Sequence, residues 1–406
     1  MQSEEPAGGE GATRATGRDA GAQARRPGSI VWLGRHTPAD QPRPWRADLA
    51  AALVPWLLAR GIVLGALAFS RSIATDLHTN PRPVALGQGL FAWDAAFYRA
   101  IAEHGYQQSD GRLRFFPLVP MLTRALGWIT GDAFALILVA NVSALALAVL
   151  LARLVRRETG DEAAADRILW LVALAPPAAV LVLGYAEATF TALAVATFLC
   201  LRRGSWWAAA VLGFLAGLTR PFGLLLAPAA AIEAGRGWRE TSAGERTARV
   251  AAVLGPLAGT GSYLAWVGAR FGDWLEPMHL QERARARGGF EEPIRPLWHS
   301  AADLAAGRHV GTGLHFLWAL GLVALLVVVA RRLPASYTAF TGLGLVLVVS
   351  AHNLDSMERY ALSLFPFLVA GALLTRREHV ARGVFALSAA GLLGYSVLTF
   401  FGQYVP

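Results

Sequence analysis

The sequence is dominated by apolar runs of about 20 residues, the length that a helix needs to cross the hydrocarbon core of a membrane. Short connections rich in arginine separate these runs, and the chain contains no lysine. Charged residues make up 16% of the 406 positions, compared with roughly 25% in a typical soluble domain. A disordered chain would be less apolar, and a disulfide scaffold would need more than the single cysteine, Cys200. The pattern therefore predicts an all-α polytopic membrane protein.

We predict about eleven transmembrane helices from the apolar runs. The candidate segments are 49–69, 133–152, 168–183, 185–201, 205–219, 221–235, 248–269, 312–330, 335–351, 359–375 and 382–402. The segments around Pro176-Pro177 and Arg220-Pro221 are short, and proline there is expected to break a helix at membrane depth.

The arginine pattern predicts the orientation of these helices. Arginines follow every second span, as at Arg153, Arg202 and Arg331, and short arginine-rich loops face the cytoplasm. The N-terminus is then cytoplasmic, and the long connections 70–132 and 270–311 lie outside a plasma membrane. The net charge of +9 is thus mainly a topology signal, and we expect no nucleic-acid partner.

The chain divides into a polar N-terminal tail, 1–48, and a membrane-embedded region, 49–406. The tail consists largely of Gly, Ala, Arg, Glu and Pro without apolar periodicity. Such a composition cannot bury enough apolar surface to offset the entropy of ordering, so we expect a disordered cytoplasmic tail.

The first outer loop contains the most informative segment, residues 91–106. Trp93, Phe97, Ala100 and Ile101 repeat at helical spacing, which predicts a short amphipathic helix along the membrane surface. Asp94 lies on its first turn, where it acts either as a helix N-cap or as a functional carboxylate at the water–lipid boundary. Residues 112–124 predict a second interfacial or re-entrant helix.

These residues resemble the PIG-V type mannosyltransferases, which include GPI mannosyltransferase II and bacterial relatives. The matching segments are Trp93-Asp94, Phe97-Tyr98, 101–106, 115–120, 184–188, 218–223 and Glu358-Arg359-Tyr360. The resemblance runs from about 49 to 402 and is most specific in the Trp-Asp segment and the Phe-Phe-Pro run. The chain differs at Arg220, where Pro-Phe follows and relatives often have small polar residues before the glycine.

The resemblance implies a GT-C fold, a polyprenyl- or dolichyl-phosphate sugar donor and a catalytic acid in the first outer loop. By that match Asp94 is the catalytic candidate. The implied reaction transfers mannose to a hydroxyl of a glycan, glycolipid or protein acceptor. The lipid-linked donor is a substrate, so we expect no cofactor.

The chemistry of such a transfer agrees with the residues in the outer segments. A base near the acceptor hydroxyl is needed, and the phosphate leaving group needs positive charge and hydrogen-bond donors, for which arginine is well shaped. One carboxylate suffices, and an inverting displacement is expected. The candidate substrate-binding residues are Trp93, Tyr98, Arg112, Arg114, Glu187, Arg220 and Arg359.

Each of these candidates has a simpler interpretation. The arginines can extend to lipid headgroups. Glu187 can orient acceptor hydroxyls, pair with Arg220 or carry a plain helix N-terminal charge. The histidines form no recognisable metal spacing, so no metal is predicted. Arg60 lies mid-span with an open role, and the alternative function is a transporter or flippase for lipid-linked or small polar solutes.

Overall fold

The computed structural model describes residues 43–77, 82–108, 111–283, 288–307 and 310–404, and the side chains of 310–313 are not among them. These described residues all belong to one compact unit. Most of the predicted tail therefore lies outside the described residues. The first helix begins at Trp45, inside the segment predicted to be tail, because Asp48 is buried there in ion pairs.

The described part of the chain is helical, with one isolated β-bridge between Phe290 and Ala351. Its α-helices, in chain order, are α1 Trp45–Asp76, α2 Val84–Gln88, α3 Asp94–His104, α4 Leu118–Thr130, α5 Asp132–Thr159, α6 Glu162–Leu174, α7 Glu187–Arg203, α8 Trp206–Gly217, α9 Leu226–Gly235, α10 Ala243–Phe271, α11 Glu276–Glu282, α12 Ile294–Ala305, α13 Val310–Arg332, α14 Ala335–Val349, α15 Met357–Ser363, α16 Pro366–Leu374 and α17 Glu378–Phe400. Short 3₁₀ helices occur at Gly89–Phe91, Arg112–Arg114, Pro176–Leu181, Pro221–Leu225 and Trp238–Glu240.

The chain is a multi-pass membrane protein, since five helices in the described ranges are long and apolar enough to cross a membrane. They are α1, α5, α10, α17 and the Leu314–Arg332 part of α13. Helices α15 and α16, which meet at a bend of 84°, are a sixth span if the two are counted as one broken helix. Shorter apolar helices fill the other predicted segments. Every predicted span contains helical structure, but the number eleven stays a prediction.

Proline interrupts a helix at membrane depth, which leaves backbone carbonyl groups without helical hydrogen bonds. Buried side chains donate hydrogen bonds to these carbonyls instead. After α6 the chain turns into the 3₁₀ helix Pro176–Leu181. Arg60 donates a 2.8 Å hydrogen bond to the carbonyl oxygen of Leu181 and another, also 2.8 Å, to Oδ1 of Asn141. The amide of Asn141 donates to the carbonyl of Val182 at 3.0 Å. Arg60 therefore stabilises the interrupted helix by donating a hydrogen bond to its backbone, which explains the presence of a cation in the middle of a span.

The connections predicted to be cytoplasmic contact one another through ion pairs. Asp48 of α1 lies 2.9 Å from Arg153 and 3.1 Å from Arg156, both on α5. Arg202 at the end of α7 lies 2.9 Å from Glu158. The start of α1 and the ends of α5 and α7, which the arginine pattern assigns to one side, therefore meet at one face of the bundle.

The interfacial helices of the first outer loop form as predicted, with a different buried face on α3. Phe97 is half-buried, and the buried positions are Ala95, Tyr98, Ile101 and Ala102. The helix is rotated because Tyr98 packs edge-on against Phe115, with 5.1 Å between ring centroids. On α4, Trp128 is 90% exposed, as expected for a side chain that contacts lipid.

Candidate active site

A cavity of about 240 Å³ lies between the two long outer loops and the ends of the spanning helices. Its walls come from the start of α3, the segment 114–116, the turn 219–222, α11, and the ends of α14 and α15. The lining includes five predicted site residues: Asp94, Tyr98, Arg114, Arg220 and Arg359. Segments distant in sequence thus converge on one space.

Asp94 reaches the cavity because the chain turns sharply just before α3. Trp93 has a positive φ of 58°, a conformation that is rare for residues other than glycine. Its indole N–H donates to the carbonyl of Thr399 at 3.2 Å, which attaches the turn to the end of α17. The backbone N–H of Asp94 lies 3.4 Å from the hydroxyl oxygen of Tyr185 and donates to it.

The side chain of Asp94 is an ion-pair partner and not a helix cap. No side-chain hydrogen bond caps the start of α3. Arg359 of α15 instead donates a 2.6 Å hydrogen bond to Oδ2 of Asp94. Among the residues described, no donor contacts the second carboxylate oxygen, Oδ1, and the side chain is 27% exposed. That oxygen is available to a ligand in the cavity.

Buried Glu187 joins two cavity arginines. Its Oε1 atom is 2.8 Å from Nη1 of Arg220 and 3.3 Å from Nε of Arg359. The glutamate side chain is 3% exposed, so this carboxylate lies behind the cavity wall. The pairing with Arg220, one of the alternatives left by the sequence, is therefore present. Asp94, Arg359, Glu187 and Arg220 form a row of alternating charges.

Close backbone packing positions Glu187 and Arg220. Gly184 lies so near α5 that an added Cβ would be 2.7 Å from the side chain of Leu136. Gly223 lies against the end of α8, where a Cβ would be 2.5 Å from the Cα of Gly217. Both glycines belong to the quoted motifs, and their absent side chains permit these approaches.

Aromatic rings surround the guanidinium groups. The Arg359 guanidinium lies 5.3 Å from the ring centroid of Tyr185 and 4.8 Å from that of Tyr360. Arg359 also donates to the Tyr360 hydroxyl at 3.0 Å, and Arg220 donates to the hydroxyl of Ser363 at 3.4 Å. These contacts hold the two cations in fixed positions at the inner end of the cavity.

Arg114 differs from the other two cavity arginines because it has no carboxylate partner within the described ranges. Its guanidinium lies 5.0 Å from the ring centroids of both Phe97 and Phe115. Its Nε atom is buried without a hydrogen-bond partner. An anion in the cavity would satisfy this group.

Tyr98 contributes a neutral hydroxyl to the same wall. Burial and the nearby Glu187 carboxylate raise the pKa of the Tyr98 phenol well above its usual value. The side chain therefore stays protonated at physiological pH and can donate a hydrogen bond.

Three predicted site residues are outside the cavity lining: Glu187, which lies behind the wall, and two residues that hold the loop. Trp93 is used to anchor the turn before α3. Arg112 donates to the carbonyl of Gly105 at 3.0 Å and so holds the loop between α3 and α4. Sequence spacing groups the two loop residues with Asp94 and Arg114, but neighbouring residues on a turn point in different directions.

Several cavity residues were missed by the sequence prediction. Gln281 and Glu282 on α11 and Phe290 after it line the outer part. Tyr360 lines the cavity and Tyr185 lies behind it; both belong to the quoted motifs, next to Arg359 and near Glu187, and that position was the available signal. The α11 residues gave no signal, because the second outer loop lacks regular apolar periodicity.

One group of side chains has a geometry suited to a cation. Asp273, Glu276 and His279 each bring one potential ligand atom within 4.8 Å of the others. The His279 ring nitrogen Nδ1 is 2.9 Å from Oδ2 of Asp273. A spacing of three along a helix places such residues on one face, although the sequence analysis did not select them. The expectation that transfer needs no metal stays a prediction.

The fold resembles that of ArnT from Cupriavidus metallidurans, determined with bound undecaprenyl phosphate. The identity is 14%, the TM-score is 0.50, and the match covers 88% of this chain and 76% of ArnT. The chain has a GT-C type fold. The predicted fold class, an all-α polytopic membrane protein of GT-C type, is thereby confirmed.

The other comparisons add nothing to this conclusion about the fold. An Archaeoglobus fulgidus oligosaccharyltransferase tethered to an acceptor peptide has a TM-score of 0.43 and 11% identity, over 89% of this chain and 55% of that one. No protein-family model and no curated protein matches the sequence.

The arrangement on this GT-C fold combines a partly exposed carboxylate with a cluster of cations. At the inner end of the cavity, Arg114, Arg220 and Arg359 outnumber the carboxylates of Asp94 and Glu187. Carboxylate oxygen can accept a proton, and guanidinium groups bind phosphate oxygens through paired N–H donors. The site can therefore hold a phosphate ester beside a base.

Proposed function

We propose that this protein is an integral membrane glycosyltransferase that transfers mannose from polyprenyl-phosphate-mannose to a hydroxyl acceptor. The observation that carries the proposal is the pairing of Asp94 with Arg359 in a cavity that also contains the unpaired guanidinium of Arg114. A base and a phosphate-binding cation are the two chemical functions that such a transfer needs.

In the proposed reaction the acceptor oxygen attacks the anomeric carbon of the donor sugar. The bond between that carbon and the phosphate oxygen breaks, and its electron pair leaves with the polyprenyl phosphate. Asp94 accepts the proton of the acceptor hydroxyl through Oδ1 and later releases it to solvent. One displacement on the face opposite the phosphate inverts the anomeric centre. Asp94 acts as the base, and no general acid is needed because the phosphate leaves as a stable anion.

The arginines stabilise charge on the leaving phosphate. Arg114 is the strongest candidate for direct contact, since an anion would supply the hydrogen-bond partner that its buried Nε lacks. Arg220 and Arg359 add positive potential at the inner end, and their bonds to Glu187 keep them in position. Such fixed charges cost little reorganisation when negative charge develops.

Two further findings support the lipid-linked donor. The fold resembles ArnT, whose structure contains undecaprenyl phosphate, and the cavity wall includes apolar side chains such as Phe116, Phe222 and Leu347 beside the cations. The choice of mannose rests on the PIG-V resemblance of the Trp93-Asp94 segment and the later motifs. The acceptor is a glycan, glycolipid or protein hydroxyl.

The location of the reaction follows from the arginine pattern. The start of α1 and the arginine-rich ends of α5 and α7 meet at one face of the bundle, and Asp94 belongs to a loop on the other side of the spans. By the positive-inside rule the arginine face is cytoplasmic. We therefore propose a plasma-membrane enzyme with a cytoplasmic N-terminus and an extracytoplasmic active site.

The transporter alternative lacks support from the residues at membrane depth. A transporter is expected to have polar side chains free for a solute near the middle of the membrane. Arg60, the mid-span arginine, bonds to Asn141 and to the carbonyl of Leu181. That arginine serves helix packing, so the transferase is favoured.

The proposal is tested by the identity of the donor. Membranes containing the protein are depleted of polyprenyl phosphate and supplied with labelled polyprenyl-phosphate-mannose or with a labelled nucleotide sugar. We expect mannose transfer from the lipid-linked donor and no transfer from the nucleotide sugar. Equal transfer from the nucleotide sugar in depleted membranes would contradict the donor assignment. Preferred transfer from polyprenyl-phosphate-glucose, supplied in a parallel assay, would contradict mannose.

A further inference from the structure

The outer wall of the cavity has a different chemical character from the inner end. Met278, Gln281 and Glu282 line it from α11. Their spacing of three and four positions puts them on one face of that helix. Glu282 has no basic partner within the described ranges. An amide and a carboxylate on α11 therefore line the same cavity as the arginines.

An aromatic side chain completes this wall. Phe290 lines the cavity and is 81% exposed, although its backbone is held on both sides. The N–H of Glu291 donates to the carbonyl of Ser350 at 3.1 Å, and the N–H of His352 donates to that of Gly289 at 3.3 Å. The side chains of Glu291 and His352 are also 2.7 Å apart. The ring is thus an exposed apolar surface on a fixed stretch of backbone.

We propose that Gln281, Glu282 and Phe290 form the acceptor subsite and that the acceptor is a carbohydrate. This inference rests on the proposed function and specifies its acceptor. The Glu282 carboxylate repels a phosphate, so the phosphate binds at the arginine end and a neutral group binds here. Amide and carboxylate oxygens accept hydrogen bonds from adjacent sugar hydroxyls, and an exposed aromatic ring packs against the apolar face of a sugar.

The structure favours a carbohydrate over a protein acceptor. A serine or threonine side chain has one hydroxyl, and when that hydroxyl donates to Asp94 only backbone N–H groups remain to contact Gln281 and Glu282. A sugar has several, so one hydroxyl can face the base while others bind α11. Free oligosaccharides and glycolipids share this chemistry, and the experiment separates them.

The test measures transfer by the full-length protein in proteoliposomes with polyprenyl-phosphate-mannose. The acceptors are an alkyl mannoside, a free mannose disaccharide and a serine-containing peptide. The variants are Gln281→Ala, Glu282→Gln and Phe290→Ala, with Phe290→Tyr as the conservative replacement. Glu292→Gln is the matched control, because Glu292 is exposed beside the β-bridge and lies outside the cavity lining.

We expect the acceptor KM to rise roughly five-fold in each of the three variants, the loss expected for one neutral hydrogen bond or ring contact. The donor KM should change less than twofold, and Phe290→Tyr and Glu292→Gln should behave like the wild type. Transfer to the disaccharide as well as to the alkyl mannoside identifies a glycan acceptor. Transfer to the alkyl mannoside alone identifies a glycolipid.

Two results would contradict the assignment of these residues to the acceptor subsite. One is a wild-type protein that prefers the peptide over both sugars. The other is an acceptor KM that is unchanged in all three variants while the wild type remains active. Failure of the proposed function gives a different result. The wild type would then transfer mannose neither to these acceptors nor to the acceptors in a native membrane extract.

Discussion

Arg359 donates a hydrogen bond to Asp94 at 2.6 Å across a sequence separation of 265 residues. This bond connects the first outer loop to α15, near the C-terminal end of the chain. Arg359 also lies 3.3 Å from Glu187, so a single guanidinium joins the proposed base to the buried carboxylate behind the cavity wall. The geometry of the site therefore depends on the planar shape of this group.

Arg359→Lys should lower turnover strongly although the charge is kept. A lysine ammonium cannot contact Asp94 and Glu187 with the spacing of a guanidinium fork. A base displaced by about 1 Å loses on the order of 100-fold in rate. The measurement is kcat for mannose transfer by purified protein. Arg99→Lys, at an exposed ion pair on α3, is the control and should be unaffected. Equal turnover in both variants would contradict the positioning role.

Arg114→Gln should weaken interaction with the donor phosphate. Hydrogen bonds to charged groups contribute about 1.5–3 kcal/mol, so kcat/KM for the donor should fall by about 10- to 100-fold. Initial rates over a range of donor concentrations measure this effect. Arg124→Gln on the exposed side of α4 provides the control. A donor kcat/KM equal to that of Arg124→Gln would exclude Arg114 from phosphate binding.

Glu187→Gln should destabilise the fold. The change leaves Arg220 and Arg359 buried with less compensating charge, and breaking a buried ion pair costs about 3–5 kcal/mol. Thermal unfolding in detergent should therefore begin at a clearly lower temperature. Glu378→Gln removes a pair whose side chains are 77% and 78% exposed, and it should change the free energy of unfolding by less than about 1 kcal/mol. Similar melting of the two variants would argue against the buried row of charges.

Arg60→Gln should reduce stability and leave catalysis intact. The substitution removes hydrogen bonds to Leu181 and Asn141 at the broken helix, each worth about 1 kcal/mol. Asn141→Ala removes the adjoining bonds and should have a comparable effect on thermal unfolding. Activity per folded molecule should equal that of the wild type in both. A loss of activity with unchanged melting would favour the transporter alternative, in which Arg60 contacts a solute.

Much of the fold could be predicted because membrane helices are determined by local properties. A run of apolar residues must form a helix to satisfy its own backbone, and its length decides whether it crosses the membrane. Every predicted segment is helical in the structure. The prolines at Pro176 and Pro221 also begin 3₁₀ helices, as expected from the missing N–H group. The first helix begins at Trp45, three residues before the expected boundary near 48, and the burial of Asp48 there depends on arginines from α5.

The site was predictable only in part. The family resemblance implied Asp94 as a candidate, positions at the outer ends of spans indicated Arg220 and Arg359, and the structure brings the three together. Spacing could not separate Arg114, which lines the cavity, from Arg112, which binds a backbone carbonyl. That difference depends on the direction of two side chains in one 3₁₀ turn. The contribution of α11 to the cavity could not be predicted for a related reason. A loop of mixed composition has no pattern that indicates its tertiary contacts.

The most direct test of the central claim compares Asp94→Asn with the wild type in proteoliposomes supplied with polyprenyl-phosphate-mannose. Asparagine has a similar shape but cannot accept the proton, so kcat should fall by about 10²- to 10⁴-fold. Donor binding should persist, since Arg114 and Arg220 are unchanged. Glu103→Gln, a paired and more exposed carboxylate on the same helix, should retain full activity. Wild-type turnover in Asp94→Asn would contradict the account, because the proposed base would then be unnecessary.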